Sequence, residues 1–249
     1  MAFFDFLWMS EKDQKRLKEM DDGIRRMEDG LYEIQRKKEE AKRRREEEER
    51  KRIEELSRWN EDNLRNKKFL DSKVPTIRSS AEKNRGFFVD KRDGKEYKTI
   101  KIGDQVWFAE NLKYNHEKSF SLPSGDEKYY PHEILKEICP KGWHIPSVSE
   151  YENLLNNVGG AKFAARLLKS TYSWKQCSEI NTDAYEFNAL ATGYIKNGSV
   201  YEVGFSANFW TRTSDNDKAY CMSLQLESPT AYLCDELKSM GFSVRCIKD

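Results

Sequence analysis

Between Leu17 and Ile34 the apolar residues recur at alternating intervals of three and four positions. This spacing is the heptad pattern in which positions a and d form the apolar seam of a coiled coil. The seam residues are Leu17, Met20, Ile24, Met27, Leu31 and Ile34. Gly23 and Gly30 both fall at position g. The pattern predicts a helix that associates with further copies of the chain, and the alternative is a helix packed on its own domain.

The following segment, residues 35–55, is almost entirely charged. Glutamates precede basic residues by four positions at Glu39/Arg43 and Glu47/Lys51, an orientation that stabilises an exposed helix. The basic run 42–45 is followed at once by four glutamates, and the whole chain has a net charge of +1. The pattern therefore favours a solvated helix, and we do not expect nucleic-acid binding.

The first nine residues contain a cluster of large apolar side chains: Phe3, Phe4, Phe6, Leu7, Trp8 and Met9. Such a cluster predicts docking, either weakly on a membrane surface or on a protein. No stretch has the pattern of a signal peptide or of a transmembrane helix. We therefore favour a cytoplasmic location over export by a non-classical route.

The composition changes near residue 70. About 39 of the first 70 residues are charged, whereas 11 of the 13 glycines lie at or after Gly86. Pro75 is the first proline and lies in a polar run. These changes predict a helical segment over residues 1–70, a linker over 71–85 and a globular domain over 86–249.

The globular part has the pattern of an α+β domain with an antiparallel sheet. The turn signals Asp93-Gly94 and Gly103-Asp104 predict a β-meander. Ser147 and Glu150 form a capping box that predicts a helix to Asn157, and further helices are predicted over 130–138 and 161–169. Strands are predicted over 189–194, 199–203, 207–213, 218–226, 231–237 and 242–248.

Several short motifs of this domain occur in the order of a known family. They are Gln105-Val106-Trp107-Phe108-Ala109-Glu110-Asn111-Leu112, Cys139-Pro140, Gly142-Trp143-His144-Ile145-Pro146, Phe187-Asn188-Ala189-Leu190 and Gly241-Phe242-Ser243-Val244-Arg245-Cys246. In this order they resemble the Fibrobacter succinogenes major paralogous domain. The resemblance implies the fold of C-type lectins and formylglycine-generating enzymes, in which the two chain ends pair in one sheet. The biochemical function of the family is largely unknown.

The resemblance also bears on the five cysteines. It implies that Cys139 and Cys246 form the long disulfide of the lectin fold and that Cys221 with Cys234 could form the short one. Cys177 is then left over. In a cytoplasmic protein the pairs would instead be thiols.

Trp107, Trp143, Trp174 and Trp210 each lie beside a turn and are predicted to anchor the core, with a ligand platform as the alternative. Glu110-Asn111 is predicted to cap a turn rather than to bind a sugar. The Glu-Pro-Asn, Gln-Pro-Asp and Trp-Asn-Asp motifs of calcium lectins do not occur, so neither a metal nor a cofactor is expected. No catalytic motif is found either.

These observations predict a non-enzymatic binding module displayed on a helical, oligomeric stalk, with a protein or glycan ligand that the sequence does not identify. The alternative is a structural scaffold that docks through its N-terminal helix.

Overall fold

The computed structural model describes residues 10–121, 125–176 and 181–249. The chain divides into two compact units, Met1–Phe69 and Leu70–Asp249. Helix α1, Glu11–Lys83, provides the described part of the first unit and the beginning of the second. The predicted docking cluster of Phe3, Phe4, Phe6, Leu7, Trp8 and Met9 lies outside the described residues, as does Cys177. Among the described residues, no helix has a run long and apolar enough to span a membrane.

The segment predicted as a linker is helical in the structure. Helix α1 continues through Pro75 to Lys83. A proline inside a helix costs about 3 kcal/mol, so the local pattern argues against this continuation. Val74 and Ile77 pack against buried Leu167, and Ala81 lies in the main core of the second unit. Tertiary burial of this apolar face therefore stabilises the helix where its local sequence does not.

The second unit is α+β, and its described residues form three sheets with antiparallel ladders. The described strands are β1 Arg85–Val89, β2 Glu96–Ile102, β3 Gln105–Phe108, β4 Phe120–Ser121, β5 Lys128–Pro131, β6 Trp143–His144, β7 Tyr194–Lys196, β8 Ser199–Tyr201, β9 Ser206–Asp215, β10 Lys218–Gln225, β11 Ala231–Leu237, β12 Gly241–Phe242 and β13 Ile247–Lys248.

The sheet orders bring distant parts of the chain together. One five-stranded sheet has the order β1-β2-β3-β13-β6, so the C-terminal strand β13 lies beside the N-terminal meander. The register pairs Ile247 with Trp107 on one side and with His144 on the other. The second five-stranded sheet has the order β4-β5-β12-β7-β8, and the three-stranded sheet has the order β11-β10-β9. The first three strands of this unit and its last strand therefore lie in one sheet.

The described helices of this unit after α1 are α2 Leu135–Ile138, α3 Val148–Asn157 and α4 Ala161–Leu168. Ser147 caps α3, and its hydroxyl and backbone amide exchange hydrogen bonds with Glu150 as the predicted capping box requires. The helix predicted from Tyr130 differs: residues 128–131 form strand β5, a single 3₁₀ turn follows, and only α2 is α-helical. Tyr130 is instead held in the sheet by its pairing with Phe242.

Candidate functional site

A cleft of about 610 Å³ opens on the surface of the second unit. The last turns of α1, strands β1 and β2, and the loop 181–188 form its walls. Its charged lining residues are Arg78, Arg85, Lys98, Asp183 and Glu186. The cleft therefore joins distant segments of the chain, since Arg78 bonds to a residue of the loop that is 104 positions away.

The loop that forms one wall has an unusual backbone. Asp183, Glu186 and Asn188 have φ angles of 44°, 57° and 53°. Asp and Asn tolerate this left-handed region, whereas it is unfavourable for Glu. Such conformations persist where the surrounding structure enforces them, and they concentrate at ligand sites. Here the Asp183 carboxylate accepts a hydrogen bond from the Asn188 amide at 2.8 Å, which closes the loop on itself.

Asp183 is a cleft carboxyl with a strongly shifted pKa. Burial raises the pKa of its carboxyl to about 7, because desolvation outweighs the Asn188 hydrogen bond and the attraction of Arg245. At neutral pH the side chain is therefore divided between its acid and carboxylate forms. A carboxyl of this kind in a cleft can either donate or accept a hydrogen bond.

The basic side chains around Asp183 differ in their partners. Arg85 forms a two-pronged ion pair with Glu186, so its charge is neutralised within the wall. Arg78 donates to the Thr182 carbonyl at 2.7 Å, a neutral partner. Lys98 is exposed, and its ammonium has no ion pair within the described residues. The cleft thus retains positive charge on Arg78 and Lys98.

Arg245 is fully buried and contacts the loop 181–188 on its buried side. Its guanidinium donates to the carbonyls of Phe187 and Asn188, the latter at 2.7 Å, and to the Phe108 carbonyl at 3.1 Å. Its Nε donates to Asn111 Oδ1 at 2.8 Å. Burial lowers the pKa of Arg245 to about 10, so the side chain remains a cation at neutral pH. One side chain therefore ties the cleft loop to β3 and to the segment after it.

Asn111 is the second member of this buried network. Its amide donates to Glu127 at 2.7 Å and to the Ser243 hydroxyl at 3.3 Å. Ser243 in turn contacts the Thr192 hydroxyl at 3.0 Å. Asn111 is fully buried, so the alternative role as a surface sugar ligand does not fit its position.

The sequence model of the Fibrobacter succinogenes major domain family matches residues 100–248. The chain belongs to this family. The match includes both β9 and β10, the Cys139–Cys246 pair and the Arg245 network, whereas α1 and β1 lie outside it. Two walls of the cleft are therefore built by segments outside the matched region.

No curated protein and no solved structure matches this chain. The geometry nevertheless shows why the family motifs occur together. Asn111, Phe187, Asn188 and Arg245 come from three separate motifs and meet in one hydrogen-bonded network.

The central motif builds a second, smaller network. His144 lies between Glu150 Oε1 and Asp249 Oδ1, each 2.7 Å from a ring nitrogen. Burial acts to raise the pKa of Glu150, but hydrogen bonds from the Ser147 amide and hydroxyl, and then from His144, hold that pKa below its usual range. This network joins the start of α3 to the C-terminal end of the chain, which is a structural role.

The four tryptophans predicted as core anchors have different positions. Trp107, Trp143 and Trp210 are buried, and Trp210 Nε1 donates to the Tyr130 carbonyl at 2.7 Å. Trp174 is only partly buried; its Nε1 donates to the Ala189 carbonyl, and the Lys169 ammonium lies 4.7 Å from its ring.

The cysteine candidates also separate into two classes. The structure joins Cys139 and Cys246 in a disulfide. Cys221 and Cys234 are opposite each other on β10 and β11 with their sulfurs 3.2 Å apart, but both are thiols. The hydrogen bond between the two sulfurs lowers the pKa of Cys234 and raises that of Cys221.

The sequence patterns did not indicate the cleft residues Arg78, Lys98 and Asp183. Each belongs to a segment whose local pattern is that of a helix, a strand or a loop. Asn188 did fall within a family motif, which was the one available signal for this wall.

We expect Asp183→Asn to raise the free energy of unfolding above that of the wild type by about 1–2 kcal/mol at pH 8. This value is smaller than the full pKa shift implies, because the Asp183 carboxyl is only half-buried. The folded protein binds the Asp183 proton more tightly than the unfolded chain does. Its stabilising effect is complete below about pH 4 and is lost as the pH rises through 7. Asn keeps the acceptor oxygen and tolerates the backbone angle.

The measurement is urea unfolding of both proteins between pH 4.5 and 8, with the exposed turn variant Asp217→Asn as the matched control. The expected difference between Asp183→Asn and wild type grows with pH. A difference that stays constant over this range would contradict the assigned titration.

Proposed function

We propose that the second unit is a non-enzymatic binding module whose ligand occupies the cleft around Asp183. The observation that carries this proposal is the cleft itself. It combines a volume of about 610 Å³, a half-buried carboxyl and a wall with left-handed backbone at Asp183, Glu186 and Asn188. Preformed clefts with a few convergent polar groups are the usual form of small-ligand sites.

The charges of the cleft favour a small polar ligand with an acidic group. Arg78 and Lys98 offer positive charge, whereas Arg85 is already paired with Glu186. Asp183 in its protonated form can donate a hydrogen bond to such a ligand, and in its ionised form it repels it. Binding is therefore expected to tighten as the pH falls through 7.

We also propose that this unit has a C-type-lectin-like fold. The antiparallel pairing of β13 with the N-terminal meander and the disulfide between Cys139 and Cys246 support it. An experimental structure superposed on C-type lectins tests this proposal.

A coiled coil formed by the seam residues would assemble several binding units in one oligomer. Multivalent display raises avidity without new contacts. The alternative function is a structural scaffold. Association through the same exposed seam, without any ligand bound in the cleft, would favour this alternative. Sedimentation equilibrium of the full chain measures the association itself.

Ligand binding is tested with the full chain by calorimetry, using inorganic phosphate, succinate and glucuronate as probes. We expect at least one probe to bind, with affinity about three- to tenfold lower in Lys98→Ala, because one exposed charge contact is lost. Lys101→Ala is the matched control, since Lys101 is also an exposed lysine of β2.

The pH dependence provides an independent readout. With glucuronate, whose carboxylate stays ionised between pH 6 and pH 8, the affinity of wild type is expected to rise as the pH falls from 8 to 6, and that of Asp183→Asn is expected to change little. Absence of binding by every acidic probe, or equal losses in the two lysine variants, would overturn the cleft as an anion site and favour the scaffold.

A further inference from the structure

The seam of helix α1 is an apolar face without a covering partner in the described residues. Its six residues, Leu17, Met20, Ile24, Met27, Leu31 and Ile34, have exposed fractions between 41% and 68%. They form one stripe on a helical segment, residues 16–37, that is otherwise largely charged. The face is long enough for three heptads, and an apolar stripe of this kind is stable in water when another helix covers it.

Some of the charges outside the seam form ion pairs within the helix. Arg25 pairs with Asp21 at 3.2 Å, Lys37 with Glu33 at 3.4 Å and Lys51 with Glu47 at 2.9 Å. Arg16 and Glu28 are among the charged residues of this segment that form no ion pair within the described residues. Both flank the seam, Arg16 at position g and Glu28 at position e.

In a parallel, in-register pair of helices, each g residue faces the e residue of the next heptad on the second copy. Arg16 then faces Asp21 of the second copy, and the symmetry of the pair produces this attraction twice. Glu28 faces Gly23 of the second copy, which has no side chain and places no charge beside it. Asp21 can pair with Arg25 of its own helix and with Arg16 of the other, because a carboxylate has two oxygens.

In an antiparallel pair, g faces g and e faces e. The seam layers remain matched, since Met20 would lie opposite Leu31. The flanking charges are not matched, because Arg16 would lie opposite Lys37, and Asp21 would lie opposite Glu28. Each of these juxtapositions is repulsive and occurs twice by symmetry. The parallel pair contains one repulsive juxtaposition, Lys37 beside Lys42 of the second copy after the end of the seam, and one attractive one. The apolar seam alone accepts both orientations, and the flanking charges favour the parallel one.

We infer that the partner of this face is a second copy of the chain, bound parallel and in register, with Arg16 beside Asp21 of the other copy. This inference rests on the proposed coiled-coil association and adds its orientation and register. In such a pair, the C-terminal ends of the two seams lie side by side, so the rest of both chains follows from the same end of the coiled coil.

Disulfide trapping in the full chain tests the orientation. Met20→Cys is oxidised mildly, and the linked peptides are identified by mass spectrometry, which separates the new bond from those of the native cysteines. We expect a link that joins position 20 of one copy to position 20 of the other. An equimolar mixture of Met20→Cys and Leu31→Cys is expected to yield no link between positions 20 and 31, since those positions are about 16 Å apart along parallel helices.

A link between positions 20 and 31, without one between the two copies of position 20, would overturn the parallel orientation while leaving the association intact. An associated chain that forms neither link would overturn the register. A wild-type chain that sediments as a monomer at all accessible concentrations would instead overturn the association itself. The failures are therefore distinguishable.

Charge reversal supplies a second test. Arg16→Glu is expected to weaken association by roughly three- to tenfold in sedimentation equilibrium, because the new carboxylate would face Asp21. Arg26→Glu is the matched control and should have no comparable effect, since Arg26 lies at position c, away from the seam. Tighter association of Arg16→Glu would contradict the inference, because the new carboxylate attracts Lys37 only in the antiparallel pair.

Discussion

Replacement of Arg245 by methionine is expected to lower the free energy of unfolding by about 3–5 kcal/mol. The guanidinium donates to three backbone carbonyls and to Asn111, and all of these contacts are buried or nearly so. Methionine fills a similar volume but leaves these acceptors without a donor. The loss is partly offset, because methionine also removes the cost of burying a cation, which is evident in the lowered pKa of Arg245.

Chemical denaturation followed by tryptophan fluorescence measures this change. Arg245→Lys keeps the charge but cannot reach all four acceptors, so an intermediate loss is expected. Arg212→Met is the matched control, because Arg212 is more than half exposed and its ion pair with Glu150 is long, at 3.6 Å. If Arg245→Met were as stable as Arg212→Met, the carbonyls of the cleft wall would have to find other partners.

The second large effect is expected from the disulfide between Cys139 and Cys246. The two cysteines are 107 positions apart, so the bond closes most of the second unit into one loop. Removing it in Cys139→Ala/Cys246→Ala should lower the free energy of unfolding by about 4 kcal/mol, mainly because the unfolded chain gains freedom.

Cys234→Ala is the control, since Cys234 is a half-buried thiol outside this bond, and a loss of about 1 kcal/mol is expected. Reductant should destabilise the wild type by the same amount as the double substitution and should have no further effect on the double variant. A wild type whose unfolding is insensitive to reductant would contradict this account.

The elements that could be predicted are those with a local physical cause. The capping box of Ser147 and Glu150 begins α3 as predicted, because both hydrogen bonds lie within one turn of the helix. The turns at Asp93-Gly94 and Gly103-Asp104 place glycines with φ of 75° and 63° between the predicted strands. The ordered family motifs likewise identified the domain, as the match over residues 100–248 shows.

The differences arise where a distant contact outweighs the local pattern. Helix α1 runs through Pro75 because Val74, Ile77 and Ala81 have apolar partners in a distant part of the chain. Tyr130 lies in a strand because Phe242 pairs with it, although the local residues favour a helix.

In the candidate site, too, single residues belong to local patterns, whereas their arrangement depends on contacts between distant parts of the chain. Asn188 and Arg245 belong to recognisable motifs, but their shared hydrogen bond joins positions 57 apart. Arg78, Lys98 and Asp183 have no common pattern in the chain, and they meet only because α1, β2 and the loop 181–188 converge.

The amino-acid sequence by itself determined the charged helix, the heptad seam, the capped helix α3, the α+β class and the family. Each of these depends on neighbours within one or two turns or on motif order. Only the tertiary structure decided which residues line the cleft, how far α1 extends and that Cys221 and Cys234 are not bonded to each other. These features depend on which distant surfaces become buried together, and burial raises the pKa of Asp183 to about 7 for the same reason.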